Sequence, residues 1–132
     1  NALKTLDLSQ NVNLEKLNCY NNDLETLDLT ANKKLTRLDA KDTPLAKIDL
    51  TQNKELSYLS LNNCPIEAID LSNNTKLSSL YLLNCKLANI DLSKKHGSYL
   101  CQLEQQPTDL FGCDSKRGFR HLVLHGQPID GT

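Results

Sequence analysis

A 21-residue stretch, Leu14 to Lys34 (LEKLNCYNNDLETLDLTANKK), returns with little change at residue 35 and again beyond it, and this recurrence restricts the fold more than any local motif. At that spacing the apolar residues fall into columns. One holds Leu14, Leu35, Leu56, Leu77, Ser98 and Phe119; the next Leu17, Leu38, Leu59, Leu80, Cys101 and Leu122; the next Cys19, Ala40, Leu61, Leu82, Leu103 and Leu124. Three more columns run through Leu3, Leu6 and Leu8 and their successors, down to Ile129, Phe111 and Cys113. A unit of this length cannot bury its apolar side alone, so neighbouring units must stack into a solenoid with one continuous core.

Within a unit the spacing is L-x-x-L-x-L-x-x-N/C-x-L, as in LEKLNCYNNDL (14–24), LSYLSLNNCPI (56–66) and LSSLYLLNCKL (77–87). On these residues the chain resembles the leucine-rich repeat proteins. A second half, L-x-x-L-D-L-S/T-x-N, is nested in the first (LETLDLTAN, AKIDLTQN, EAIDLSNN), and in this it is similar to the 21-residue class of internalin-like and Bacteroidetes-type surface repeats. The resemblance implies a mainly β, right-handed solenoid of about six 21-residue coils, with a parallel sheet on one face and short extended segments on the other. It also implies a secreted or cell-surface setting. The whole of 1–132 is expected to form one domain: a partial unit at 1–13, four regular coils over 14–97, a degenerate coil at 98–118 and a partial last coil at 119–132.

Alternation such as Leu80-Tyr81-Leu82-Leu83 has the two-residue period of a strand, and no unit offers a helical pattern. Net charge is −1 with 23% charged residues, so no basic footprint points to nucleic acid. No apolar run approaches the roughly 20 residues of a membrane-spanning helix. The chain opens in mid-repeat without an initiator Met, as expected of a trimmed or mature piece. With Leu3, Leu6 and Leu8 at one end and Phe119, Leu122, Leu124 and Ile129 at the other, end-to-end self-association is an expectation.

Polar columns mark the turns. Asn11, Asn32, Asn53 and Asn74 form one, and Asn22, Thr43, Cys64 and Cys85 another; both are expected to satisfy backbone groups that no strand partner reaches. Asp7, Asp28, Asp49, Asp70 and Asp91 would repel one another when stacked. Each is therefore expected to bond turn N–H groups or Ser9, Thr30, Thr51, Ser72 and Ser93. A calcium-binding edge is the alternative, because calcium takes several carboxylate oxygens.

Residues 94–118 break the pattern with Gly97, Pro107, Gly112 and Gly118, yet Cys101, Leu103, Phe111 and Cys113 stay on the 21-residue columns. The five cysteines occupy core or turn columns and are read as buried free thiols. The competing readings are a Cys101–Cys113 bridge and a zinc site built from Cys101, Cys113, His121 and His125 with His96. The spacing matches no paired zinc signature, and inward cysteines would face away from outward histidines. No nucleophile elbow or phosphate loop is present, so no catalytic residue, metal or cofactor is expected and the chain is not read as an enzyme.

What remains is surface. Outward positions of the strand half carry Tyr20, Arg37, Asp39, Tyr58, Asn62, Tyr81, Leu83, Leu100, Gln102 and His121, and these are the candidate binding residues. Tyrosine is enriched at interfaces, and extended repeat faces commonly bind. The expected function is recognition of a protein partner, with carbohydrate binding on the same face or a structural spacer as alternatives.

Overall fold

The computed structural model describes residues 2–88 and 90–92, and the backbone of 98–101. Five short strands, β1 (Lys16–Asn18), β2 (Arg37–Asp39), β3 (Tyr58–Ser60), β4 (Ser79–Leu82) and β5 (Ser98–Cys101), form one parallel sheet in sequential order. Each strand is followed by a return segment that carries neither strand nor helix among the described residues, and the chain climbs one coil per unit.

The repeat sets the register. Lys16 pairs with Arg37, Arg37 with Tyr58 and Tyr58 with Ser79, so equivalent residues lie side by side. Because parallel partners share a face, the columns become physical stacks about 4.8 Å apart. Leu38, Leu59 and Leu80 are wholly buried, as are Leu35, Leu56, Leu45, Ile66 and Leu87, and Leu29, Leu50 and Leu92 close the other side of the core. Burying each Leu stabilises by roughly 1.5–3 kcal/mol, which the columns multiply through the stack. Leu14 and Leu17, with a coil on one side only, are half-buried, and Leu3 is exposed.

The 21-residue spacing ends at β5. There Ser98 lies opposite Ser79 and Cys101 opposite Leu82, so the coil between β4 and β5 is two residues short. The expected column that put Cys101 beside Leu80 and Leu100 beside Ser79 is corrected: Tyr99 falls beside Leu80, and Leu100 beside Tyr81. A two-residue shortening keeps the alternation of faces, which a one-residue shortening would invert. The rest of the degenerate coil, the last partial coil and the readings that use Cys113, His96, His121 and His125 lie outside the described residues.

Two kinds of turn close each coil. On one side Asn11, Asn32, Asn53 and Asn74 each donate their backbone N–H to the carbonyl three residues back, and each accepts from the Leu three residues on. On the other side Asn21, Asp42, Asn63 and Asn84 adopt left-handed backbone, with φ of 62°, 58°, 64° and 57°. Asn and Asp tolerate that region better than other residues with a Cβ. Asn63 Nδ2 donates to Asp42 Oδ1 (2.6 Å) and Asn84 Nδ2 to Asn63 Oδ1 (2.7 Å), so this column is also stitched from coil to coil.

Candidate functional site

The outward side chains of the sheet form a grid of three rows and four coils. The first row is Lys16, Arg37, Tyr58 and Ser79; the second is Asn18, Asp39, Ser60 and Tyr81. The third, Tyr20, Lys41, Asn62 and Leu83, is held in register past the strand ends by Asn21 N–H to Lys41 O, Asp42 N–H to Asn62 O and Asn63 N–H to Leu83 O.

Within this grid the rings and cations are already organised. The Arg37 guanidinium lies 3.7 Å from the Tyr58 ring centre, and the Tyr58 and Tyr81 rings are 5.4 Å apart at 49°. Tyr58 and Tyr81 sit diagonally, two positions apart on neighbouring strands, within reach of aromatic side chains. Lys41 Nζ stands 5.1 Å over the Tyr20 ring. Stacking of this kind fixes side chains that would otherwise lose rotamer freedom on binding, so the surface is partly pre-organised.

Of the residues expected here, Tyr20 is exposed, and Arg37, Tyr58, Asn62, Tyr81 and Leu83 are half-buried on the one face. Asp39 differs: with Ser60 it is buried, at 6% and 3% exposure, both being short side chains set among longer Arg, Lys and Tyr neighbours in the grid. The Asp39 carboxylate lies 3.8 Å from Lys41 Nζ and accepts a long bond (3.4 Å) from the Lys41 N–H. Asn62 also has a local task, since its Oδ1 accepts the Leu83 N–H at 2.8 Å. Leu100 is placed by its backbone beside Tyr81, while Gln102 and His121 lie outside the described residues. Lys41 was not among the expected binding residues. Its 21-residue partner Tyr20 was the available signal, because stacked register puts a cation beside that ring.

The acidic column on the opposite side behaves as its chemistry requires. Asp28 Oδ1 accepts both the N–H (3.0 Å) and the hydroxyl (2.7 Å) of Thr30, and Asp49 Oδ1 does the same with Thr51 (2.9 and 2.6 Å). Asp7 and Asp70 accept the N–H groups of Ser9 and Ser72. The backbone N–H of the turn holds the carboxyls of Asp7 and Asp28 below their ordinary range, and for Asp49 the Thr51 hydroxyl does most of this. A pocket of about 60 Å³ between Asp7, Ser9, Asp28 and Thr30 is too small for an organic ligand. Among the described residues no group of three or more His, Cys, Asp or Glu is arranged to hold a metal ion, and no helix is long and apolar enough to cross a membrane.

Cys19, Cys64 and Cys85 are free and buried. Cys64 Sγ donates to Ala40 O and Cys85 Sγ to Leu61 O, both at 3.1 Å and both in the preceding coil. Burial raises all three thiols, Cys19 to about 11 and Cys85 to about 12. All three are therefore protonated and poor nucleophiles at neutral pH, and Cys64 and Cys85 act as donors.

Among solved structures, the chain is similar to the functional domain of InlJ from Listeria monocytogenes, an internalin leucine-rich repeat protein described as including a cysteine ladder. The TM-score is 0.75 and the identity 37%, over 83% of this chain and 25% of that one. The chain thus spans about a quarter of that structure's length. No protein-family model matches it, and no curated protein does.

Proposed function

The chain is a leucine-rich-repeat protein of the 21-residue, internalin-like class, and on that premise we propose that it is a non-catalytic recognition module, secreted or at a cell surface, that binds a protein partner through the outward face of its sheet. The observation that carries this is the run of stacked side chains from Arg37 through Tyr58 to Tyr81, continued by half-buried Leu83. Tyr and Arg are the residues that most often dominate interface energetics, and here their stacking leaves little rotamer entropy to lose. On the far side the short turns bond their own carboxylates, which leaves them fewer free groups for a partner.

The test is a Tyr58→Ala/Tyr81→Ala variant, compared with wild type in pull-downs and on a glycan array. Loss of a protein interaction with an unchanged melting temperature supports the reading. Loss of glycan signal alone transfers the face to carbohydrate, and an unaltered result in both assays favours a structural spacer.

A further inference from the structure

Charge is divided unevenly across the grid. Lys16, Arg37, Lys41 and Asp39, every charged member, belong to the coils of β1 and β2, while the coils of β3 and β4 contribute only Tyr58, Ser60, Asn62, Ser79, Tyr81 and Leu83. Asp39, the one acid of the grid, is buried 3.8 Å from Lys41 Nζ and offsets one of the three cations, so the grid is left with two net positive charges, both on its first two coils. The far side is acidic on balance, with Asp7, Asp28, Asp49 and Asp70 exposed together with Glu25 and Glu67, against Lys4 and Lys47. Among the described residues charge is therefore polarised, positive on one half of the sheet and acidic behind.

The cations keep donors available. The Arg37 guanidinium carbon lies 3.7 Å from the Tyr58 ring centre, and a cation held over a ring in this way can still pair bidentately with a carboxylate through its N–H groups. From β1 to β4 the grid is about 14 Å long, the reach of four to five extended residues. A uniform polyanion would find its charges matched over the first two coils only.

Building on the proposed protein-binding role, we propose that the segment this face takes is a short stretch of protein that is acidic at one end and apolar or aromatic at the other. It lies along the solenoid axis, its carboxylates at Lys16, Arg37 and Lys41 and its apolar end at Tyr58, Tyr81 and Leu83. The acidic column behind repels the same segment and steers it to the sheet.

The test uses two synthetic peptides, Glu-Glu-Glu-Gly-Trp-Leu and the same peptide with lysines for the glutamates, titrated to millimolar concentration against the labelled chain and followed by amide chemical shifts. The Glu peptide is expected to shift the amides of Lys16, Arg37, Lys41, Tyr58 and Tyr81, and to bind about tenfold more tightly than the Lys peptide at low salt, an advantage that salt erodes. Arg37→Glu/Lys41→Glu should reverse the preference; exposed Lys16→Glu, which touches no packing, should reduce it if the double variant misfolds. Equal binding of both peptides at this face overturns the inference and spares the binding role. No shift at Tyr58 or Tyr81 with either peptide removes both. Vesicles containing phosphatidylserine that shift the three cations' amides more than the Glu peptide does would replace the protein segment by an anionic lipid surface.

Discussion

The two turn ladders differ in what they allow. At one end of the coil the residue is Asn in every described unit, and at the other it drifts from Asn22 to Thr43 to Cys64 and Cys85. Bond counting explains the contrast. Asn53 Nδ2 donates to Leu29 O and to Asn32 O of the coil before (3.1 and 2.9 Å), and Asn32 and Asn74 repeat this with Leu8 and Asn11, and with Leu50 and Asn53. The variable turn can manage with one main donor: Asn22 Nδ2 donates twice, to Cys19 O (3.1 Å) and Tyr20 O (3.2 Å), but Thr43 gives only its hydroxyl to Ala40 O (2.8 Å), and Cys64 and Cys85 give a thiol proton to Ala40 O and Leu61 O. Two donors on one short side chain leave Asn as the fitting choice, whereas one donor can come from an amide, a hydroxyl or a thiol.

The Asn solution has a cost of its own. The Oδ1 atoms of Asn32, Asn53 and Asn74 are buried without a hydrogen-bond partner. The stack accepts three orphaned acceptors to gain six Nδ2 bonds, and the receiving carbonyls already hold a backbone N–H each in Leu29, Asn32, Leu50 and Asn53. The largest effect that tests this is Asn53→Ala. At about 1 kcal/mol net for each of its two bonds, partly offset by deleting the orphaned oxygen, it should destabilise by about 1–2 kcal/mol in urea melts. Asn53→Thr, which keeps a single donor, should lose about half of that. If Asn53→Ala costs no more than Cys64→Ala, the two ladders are energetically alike and the bond count does not explain the invariance.

Much of this was legible in the sequence, for a physical reason: a stacked repeat turns sequence columns into spatial neighbours. The buried Leu stacks, the bonding of Asp28 to Thr30 and Asp49 to Thr51, and the outward rank of Tyr58 and Tyr81 follow from period and alternation. The burial of Asp39 and Ser60 did not, because it depends on how far neighbours from other coils lean across them. Neither did the left-handed backbone of Asn21, Asp42, Asn63 and Asn84, although an Asn/Asp column one residue before the variable turn is its sequence trace. The short coil before β5 was hidden because Cys101 fits an inward column at either spacing.

Alkali separates the ladders next. An amide does not titrate, but a thiol does, and burial raises Cys19 to about 11 and Cys85 to about 12 from an ordinary value near 9, with Cys64 raised as well. Folded pKa values above the unfolded ones mean that the thiols' contribution is complete below pH 9 and is lost as pH rises through 11 to 12. A Cys64→Thr/Cys85→Thr variant should escape the part of this loss that Cys64 and Cys85 carry, and keep the part due to Cys19. At pH 10 it should gain on the order of 1 kcal/mol relative to wild type, against its own difference at pH 7. Parallel stability profiles of the two proteins between pH 7 and 11 would show that the thiols do not titrate with unfolding.

The smallest effect is the most discriminating. Thr43 already fills the variable turn one coil before Cys64, its hydroxyl reaching the carbonyl of Ala40 that Cys64 Sγ also reaches, and the two side chains lie 3.4 Å apart. A hydroxyl is a stronger donor than a thiol and smaller than it, so Cys64→Thr exchanges some buried sulfur contact for a better hydrogen bond. These terms oppose each other, and the change in stability at pH 7 should stay within about 0.5 kcal/mol. Removing the donor altogether in Cys64→Ala should cost about 1 kcal/mol, since Ala40 O keeps its bond from Thr43. A Cys64→Thr cost as large as that of Cys64→Ala would mean that the turn needs the shape of sulfur rather than a proton to donate. The drift from Asn to Thr to Cys along this ladder would then have to be set by packing in each coil separately.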